Sequence, residues 1–165
     1  MVTNEDSDET LVGRYVRGDA AAFDQLYKRH ELRVWRYLER NVRNQATSDE
    51  LLQEVWCTLA RNAASLESAT RFRTRLFSLA YDRMTTALRA QPAPTSTEAA
   101  ADSVNPLAQA IGQLPREQRE AYLLHVEGQL SVGEIAEITE NAIDATQNAL
   151  RGARKTLREL LNEPA

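Results

Sequence analysis

The sequence predicts an all-α fold, two small helical domains joined by a flexible linker. Three observations predict it. Apolar residues recur three and four positions apart through nearly the whole chain, and no alternating run of strand type interrupts them. Residues 91–106 (QPAPTSTEAAADSVNP) hold three of the five prolines and no large apolar side chain beyond Val104. Such a stretch cannot bury enough surface to offset its ordering entropy. The 165 residues, 42% hydrophobic and 27% charged with both signs mixed, suit one domain or two small ones with many exposed helix faces. The expected division is 1–91, a flexible linker at 92–112, and 113–165.

In the first part, Leu11, Tyr15 and Val16 share one helical face, and Gly18 stops that helix. Asp19 stands as the cap of the next, which carries Phe23, Leu26 and Tyr27. The pattern resumes with Leu32, Trp35, Leu38 and Val42. Thr47 and Glu50 have the spacing of a capping box ahead of Leu51, Leu52, Val55, Trp56 and Leu59. A looser stretch, Asn62 to Thr70, precedes a helix with Phe72, Leu76, Leu79, Ala80 and Met84. A bundle of four or five helices is expected, with Phe72 and Phe77 in its core.

The second part opens at Leu114-Pro115, where a proline at the first helical position has no N–H to lose. Ala121, Leu123 and Leu124 form its apolar stripe, and Glu127-Gly128 ends it. Ser131 and Glu134 form a second capping-box pattern ahead of Ile135, Ala136 and Ile138. After a break at Glu140-Asn141, a long helix runs from about Ile143 to Leu161. A short capped helix, a tight turn and a longer helix ending in basic residues is the outline of a helix-turn-helix.

Charge is unevenly spread behind a net of −4. From Arg61 to Ala90 six arginines (61, 71, 73, 75, 83, 89) face only Glu67 and Asp82, and Arg151, Arg154, Lys155 and Arg158 follow one another with no acid between them. Local basic patches on an acidic protein can contact phosphate without making the molecule a general polycation. No segment approaches the roughly 18 uninterrupted apolar residues of a membrane span. Met1 to Thr10 carries four acids and no base, unlike a secretory signal. A lone Cys57 and two histidines make an internal disulfide impossible and a protein-only metal site unexpected. His30 and His125 are expected at the surface or its boundary. With no glycine-rich phosphate loop and no clustered His, Cys and carboxylate set, the expectation is a cytoplasmic protein that is not an enzyme and carries no cofactor.

Five stretches in order resemble the sigma-70 family of bacterial RNA polymerase sigma factors, in its small two-domain extracytoplasmic-function (ECF) group. GDAAAFDQLYKRH (Gly18 to His30) resembles the opening of the family's region 2, and DELLQEVWCTLAR (Asp49 to Arg61) its core-polymerase-binding helix. FRTRLFSLAYDRMTTALRA (Phe72 to Ala90) is similar to the promoter-melting helix. LPREQREAYLLHVEGQLSVGEIAEI (Leu114 to Ile138) and LRGARKTLREL (Leu150 to Leu160) are similar to the start and end of region 4.

The resemblance implies a protein that binds core RNA polymerase and directs promoter-specific initiation. Two domains on a tether span separated promoter elements, and the tether raises the effective concentration of the second contact. It places the polymerase contact at Asp49, Glu50, Gln53 and Glu54, with Leu51, Val55 and Leu59 packed inward. It places the −10 element at Arg71, Arg73, Arg75, Tyr81, Arg83 and Arg89, and a base pocket in the loop Ala63 to Thr70. The −35 element falls to Gln147, Asn148 and Arg151 for base edges and to Arg154, Lys155 and Arg158 for phosphates. It further implies promoter DNA and an anti-sigma factor as partners, and no membrane insertion.

The chain departs from the family pattern at Arg75, Asp82, Thr86 and Ala90 in the melting helix and at Gln147, Ala149 and Gly152 in the recognition helix. Glu140 stands where the turn glycine is usual, a left-handed position that costs about 1–2 kcal/mol in other residues. Two other functions stay open on the sequence. One is a sigma-like interaction protein that binds polymerase or a regulator with weak or no promoter recognition. The other is a helix-turn-helix regulator with an unrelated N-terminal domain.

Overall fold

The computed structural model describes residues 6–62, 71–90 and 105–162. These residues form eight helices and no strand: α1 Asp8–Val16, α2 Ala20–Val42, α3 Gln45–Arg61, α4 Phe72–Ala90, α5 Pro106–Gly112, α6 Arg116–Val126, α7 Val132–Thr139 and α8 Ile143–Asn162. The expected loop pocket at 63–70 and most of the linker fall outside the described residues.

Short-range chemistry sets most of the boundaries. Gly18 takes φ 106, a conformation that L side chains rarely adopt, and so ends α1 where the sequence places the stop. Asp19 then caps α2, its Oδ1 accepting the Ala21 N–H at 3.1 Å while Arg14 holds Oδ2 at 2.7 Å. Helix α2 runs unbroken for 23 residues and buries Leu26, His30, Val34, Tyr37, Leu38 and Val42. Leu32 lies off that stripe and is 57% exposed, a correction to its expected place on the apolar face. The Thr47–Glu50 capping box is also corrected. Asn44 caps α3 three residues earlier, its side chain accepting the Thr47 N–H at 3.0 Å, so Thr47 already lies inside the first turn.

Aromatic contacts tie α1 to α4 together. Phe23 lies 4.7 Å from Tyr15 and 5.8 Å from Trp56, Tyr27 meets Trp56 at 5.0 Å, and Tyr37 meets Phe77 edge-on at 5.6 Å between ring centroids. Phe72 and Phe77 are buried, as expected.

Residues assigned to the linker prove helical at its C-terminal end. The Asn105 side chain accepts the Leu107 N–H at 3.0 Å, Pro106 fills the first turn, and Ala108, Ala110 and Ile111 are buried as α5 packs on α8 and α2. Alanines that look featureless as sequence fit between helices because they are small. Pro115 is the residue before α6, which begins at Arg116. The Ser131–Glu134 capping box forms in both directions, and Glu140 adopts φ 57 and ψ 41 in the turn before α8. Thr146, Leu150, Ala153 and Leu157 anchor α8 on the core. The two halves also pack on each other: α2 meets α5 and α6, and α4 meets α7.

Candidate nucleic-acid interface

Helix α8 follows the α7 turn with its buried stripe inward, which leaves the opposite face free for charge. Gln147, Asn148, Arg151, Arg154, Lys155 and Arg158 are all exposed. Five of these six, with Val132 and Leu150, line one concavity of about 590 Å³. Asn148 stands beside it and accepts a 3.2 Å hydrogen bond from Arg151 Nη1. The four cations on this face meet no acidic side chain among the described residues. Gly152 faces inward, where a Cβ would meet the amide of Gln118 at 2.7 Å, so a larger residue there displaces Gln118.

On α3, Asp49, Glu50, Gln53 and Glu54 are exposed while Leu51, Val55 and Leu59 are buried, the division the sequence anticipates. Asp49 is held by the Trp35 indole N–H at 2.9 Å. Asp49 and Gln53 also line an apolar groove of about 510 Å³ formed with Phe23, Tyr27, Leu52 and Trp56. Periodicity counts these residues among the apolar positions and gives no sign of the groove, because it marks a face as apolar without saying what covers it.

The residues assigned to the −10 element do not form one surface. Arg75 lies in the groove between α3 and α4 with Asp82, Thr58 and Asn62. Arg83 reaches Thr58 Oγ1 at 3.5 Å, and Arg89 is exposed near the end of α4. Tyr81 is half-buried against the core, where burial, and then the charge of Glu120, raises its phenol above the ordinary range. Arg71 and Arg73 turn toward the second half: Arg71 Nη2 is 3.5 Å from Glu134 Oε1, and Arg73 Nη1 donates to Gln129 Oε1 at 3.1 Å.

Beside them Thr74 Oγ1 donates to Glu134 Oε2 at 2.6 Å, and Arg36 on α2 pairs with Glu127 at 3.2 Å. Burial works to raise the Glu134 carboxyl. The Ser131 and Thr74 bonds and the Arg71 charge outweigh it and leave the carboxyl below the usual range. These contacts join residues some 60 to 90 positions apart. Nothing local signals them, and Glu134 reads in the sequence as a helix cap alone.

His30 requires a correction. It is 4% exposed, with Nε2 hydrogen-bonded to Asp8 Oδ2 at 2.9 Å and its ring 5.6 Å from that of Phe72. A polar side chain is tolerated there because Asp8 satisfies one ring nitrogen. Burial pushes the Asp8 carboxyl up, and the bonds and charges of His30 and Arg29 overcome it and hold the group below its ordinary value. His125 does lie at the boundary, its Nδ1 bonded to the Leu130 carbonyl at 3.0 Å. No group of His, Cys, Asp and Glu suited to a metal occurs among the described residues, and no described helix is long and apolar enough to cross a membrane.

A helix-turn-helix with a cationic concavity on its second helix, joined to a helical bundle with an acidic helix face, defines a two-part DNA-binding protein. Residues 26–92 match the family model described as Sigma-70 region 2, and residues 105–157 the one described as Sigma-70, region 4. The second match begins at Asn105, the cap of α5. The chain is 35% identical, over 91% of its own length and 95% of the relative's, to the RNA polymerase sigma factor CarQ of Myxococcus xanthus. It is 36% identical over 62 residues, 38% of this chain and 32% of the relative, to the ECF RNA polymerase sigma factor SigM of Mycobacterium tuberculosis.

Two solved structures share the fold. CnrH, solved with the cytosolic domain of CnrY, aligns with TM-score 0.76 at 22% identity, over 97% of this chain and 100% of that one. The sigma factor RpoE of Bartonella quintana, solved with the anti-sigma factor NepR, aligns with TM-score 0.69 at 18% identity, over 87% and 98%. The chain belongs to the sigma-70 family of RNA polymerase sigma factors, in the extracytoplasmic-function group.

Proposed function

We propose that the protein binds core RNA polymerase and directs promoter-specific transcription initiation in the cytoplasm, as a DNA-positioning factor with no catalytic chemistry of its own. The observation that carries this is the concavity on α8, where Gln147, Arg151, Arg154, Lys155 and Arg158 converge. Gln and Arg near the start of the helix can pair bidentately with adenine and guanine, while the later cations suit phosphates and fix register. The first domain, 1–91, holds polymerase through Asp49, Glu50, Gln53 and Glu54, with the neighbouring apolar groove adding buried contact. Helix α4 serves the −10 element through Arg71, Arg73, Arg75, Arg83 and Arg89, with Tyr81 available for stacking once the halves separate. The second domain, 113–165 with α5 added, serves the −35 element.

An anti-sigma factor is the expected regulator, because the fold neighbours include a sigma factor solved with one. The test pairs co-purification with core polymerase at moderate ionic strength with run-off transcription. Association together with initiation supports the proposal, association alone favours a sigma-like decoy, and the absence of both overturns it. Glu54→Arg, a charge reversal on the exposed face of α3, weakens association at least tenfold if that face docks.

A further inference from the structure

The strongest feature left unassigned is a cleft of about 580 Å³ where α1, α2, the start of α4 and the α6–α7 turn meet. Four arginines line it, Arg29, Arg33, Arg71 and Arg73, against two carboxylates, Asp8 and Glu9. Both carboxylates are already engaged. Asp8 holds Arg29 at 2.7 Å and His30 at 2.9 Å, and Glu9 accepts the Phe72 backbone N–H at 3.0 Å. Arg33 meets no acid among the described residues, and Arg71 has only Glu134, at 3.5 Å. A buried donor of the cleft, Arg73 Nε, has no hydrogen-bond partner among the described residues. A buried donor without an acceptor is costly, and excess positive charge with an orphaned donor fits an anion bearing several oxygens.

We infer that this cleft is a phosphate site, and that Glu134 and Gln129 occupy two of its arginines when the halves are packed together. The carboxylate and amide oxygens that face Arg71 and Arg73 stand where phosphate oxygens bind. Phosphate binding and domain closure are therefore mutually exclusive at these two side chains. Gln129 presents its amide from a left-handed backbone, φ 55, a conformation that non-glycine residues seldom hold without surrounding constraint. The ligand is a phosphate group, carried either by a DNA strand or by a free polyphosphate. For Arg71 and Arg73 the inference rests on the sigma-factor function proposed above. For Arg29 and Arg33 it adds a surface on α2.

The experiment measures binding of labelled single-stranded dT12 and of sodium triphosphate to the full chain across a salt series. Arg33 makes no hydrogen bond or ion pair to the other half among the described residues, and Arg33→Ala is expected to weaken phosphate binding at least threefold. On dT12 it also reduces the slope of log K against log salt by about 0.7, one phosphate's worth for a single strand. Thr74→Val keeps every arginine, removes one bond of the closed arrangement, and is expected to tighten binding about threefold. If that variant unfolds, Glu134→Gln, which still accepts the Ser131 N–H, replaces it with the same expectation. Loss of triphosphate binding alone in Arg33→Ala assigns a free polyphosphate, and loss of dT12 binding assigns a strand. Wild-type affinity of Arg33→Ala for both probes overturns the site, and unchanged affinity on weakening the closed contact overturns the competition. Run-off transcription by the wild-type chain, measured alongside, reads the sigma-factor function separately.

Discussion

Glu9 on the first helix accepts the backbone N–H of Phe72, the first residue of α4, at 3.0 Å across 63 positions of sequence. A helix start leaves four N–H groups without intrahelical partners, and a carboxylate there satisfies one of them and opposes the helix dipole. Here the carboxylate comes from another helix, so the N-terminal segment caps the helix assigned to promoter melting. Replacing Glu9 with Ala should cost about 1 kcal/mol of unfolding free energy, and Glu9→Gln about half as much. Urea denaturation followed by circular dichroism reads both, and equal loss in the two variants would remove charge from the explanation.

Asp8 makes a second such tie, and it titrates. Its folded carboxyl lies below its ordinary value of 3.8 because the bonds and charges of His30 and Arg29 prevail over burial. A depressed carboxyl adds stability that is fully present above the unfolded pKa and is lost as pH falls through the folded one. Wild type should therefore exceed Asp8→Asn by about 1.5–3 kcal/mol from neutral pH down to roughly pH 5, with the gap closing below about pH 4. Denaturation curves at stepped pH check this. A gap that persists at pH 2 would mean that the carboxylate charge is irrelevant.

Glu140 holds φ 57 in the turn that aims α8. Glycine takes that conformation without a Cβ clash, so Glu140→Gly should stabilise the protein by about 1 kcal/mol, or about 3 °C in Tm. Calorimetry decides, and a lower Tm would show that the Glu140 side chain makes up for its backbone strain.

Gln147 and Arg151 line the concavity on α8, a different helix from the one that carries the acidic face, α3. The double substitution to Ala should reduce initiation at a cognate promoter by at least roughly 30-fold, since each base pairing is worth about 1–3 kcal/mol and every 1.4 kcal/mol is a factor of ten. Polymerase affinity should be unchanged. Run-off assays with a parallel binding measurement read the two quantities, and matched losses would contradict the division of labour.

Local chemistry is what the sequence made legible. The Asp19 cap, the Ser131–Glu134 capping box and the span of α8 follow from residues within four positions of each other, while the left-handed Glu140 follows from the family resemblance, which puts a glycine at that turn. The inward and outward faces of α3 follow from its period. The misses have two causes. Where two local signals compete, the weaker-looking one can win, as Asn44 does over Thr47 at the start of α3. Where tertiary packing decides, the pattern is silent: Ala108 and Ala110 make a buried helix of an expected linker, and Asp8 draws His30 inside. The candidate site divides the same way. All six α8 residues lie on the expected face, whereas the arginines of α4 scatter, because two of them answer to Gln129 and Glu134 in the other half.

Purified core polymerase, supplied with genomic DNA with and without this protein, gives the most direct measurement when transcript 5′ ends are mapped. A defined set of new start sites, each with a shared upstream sequence at two separated elements, is the predicted result. A start-site map unchanged by the protein would contradict the account.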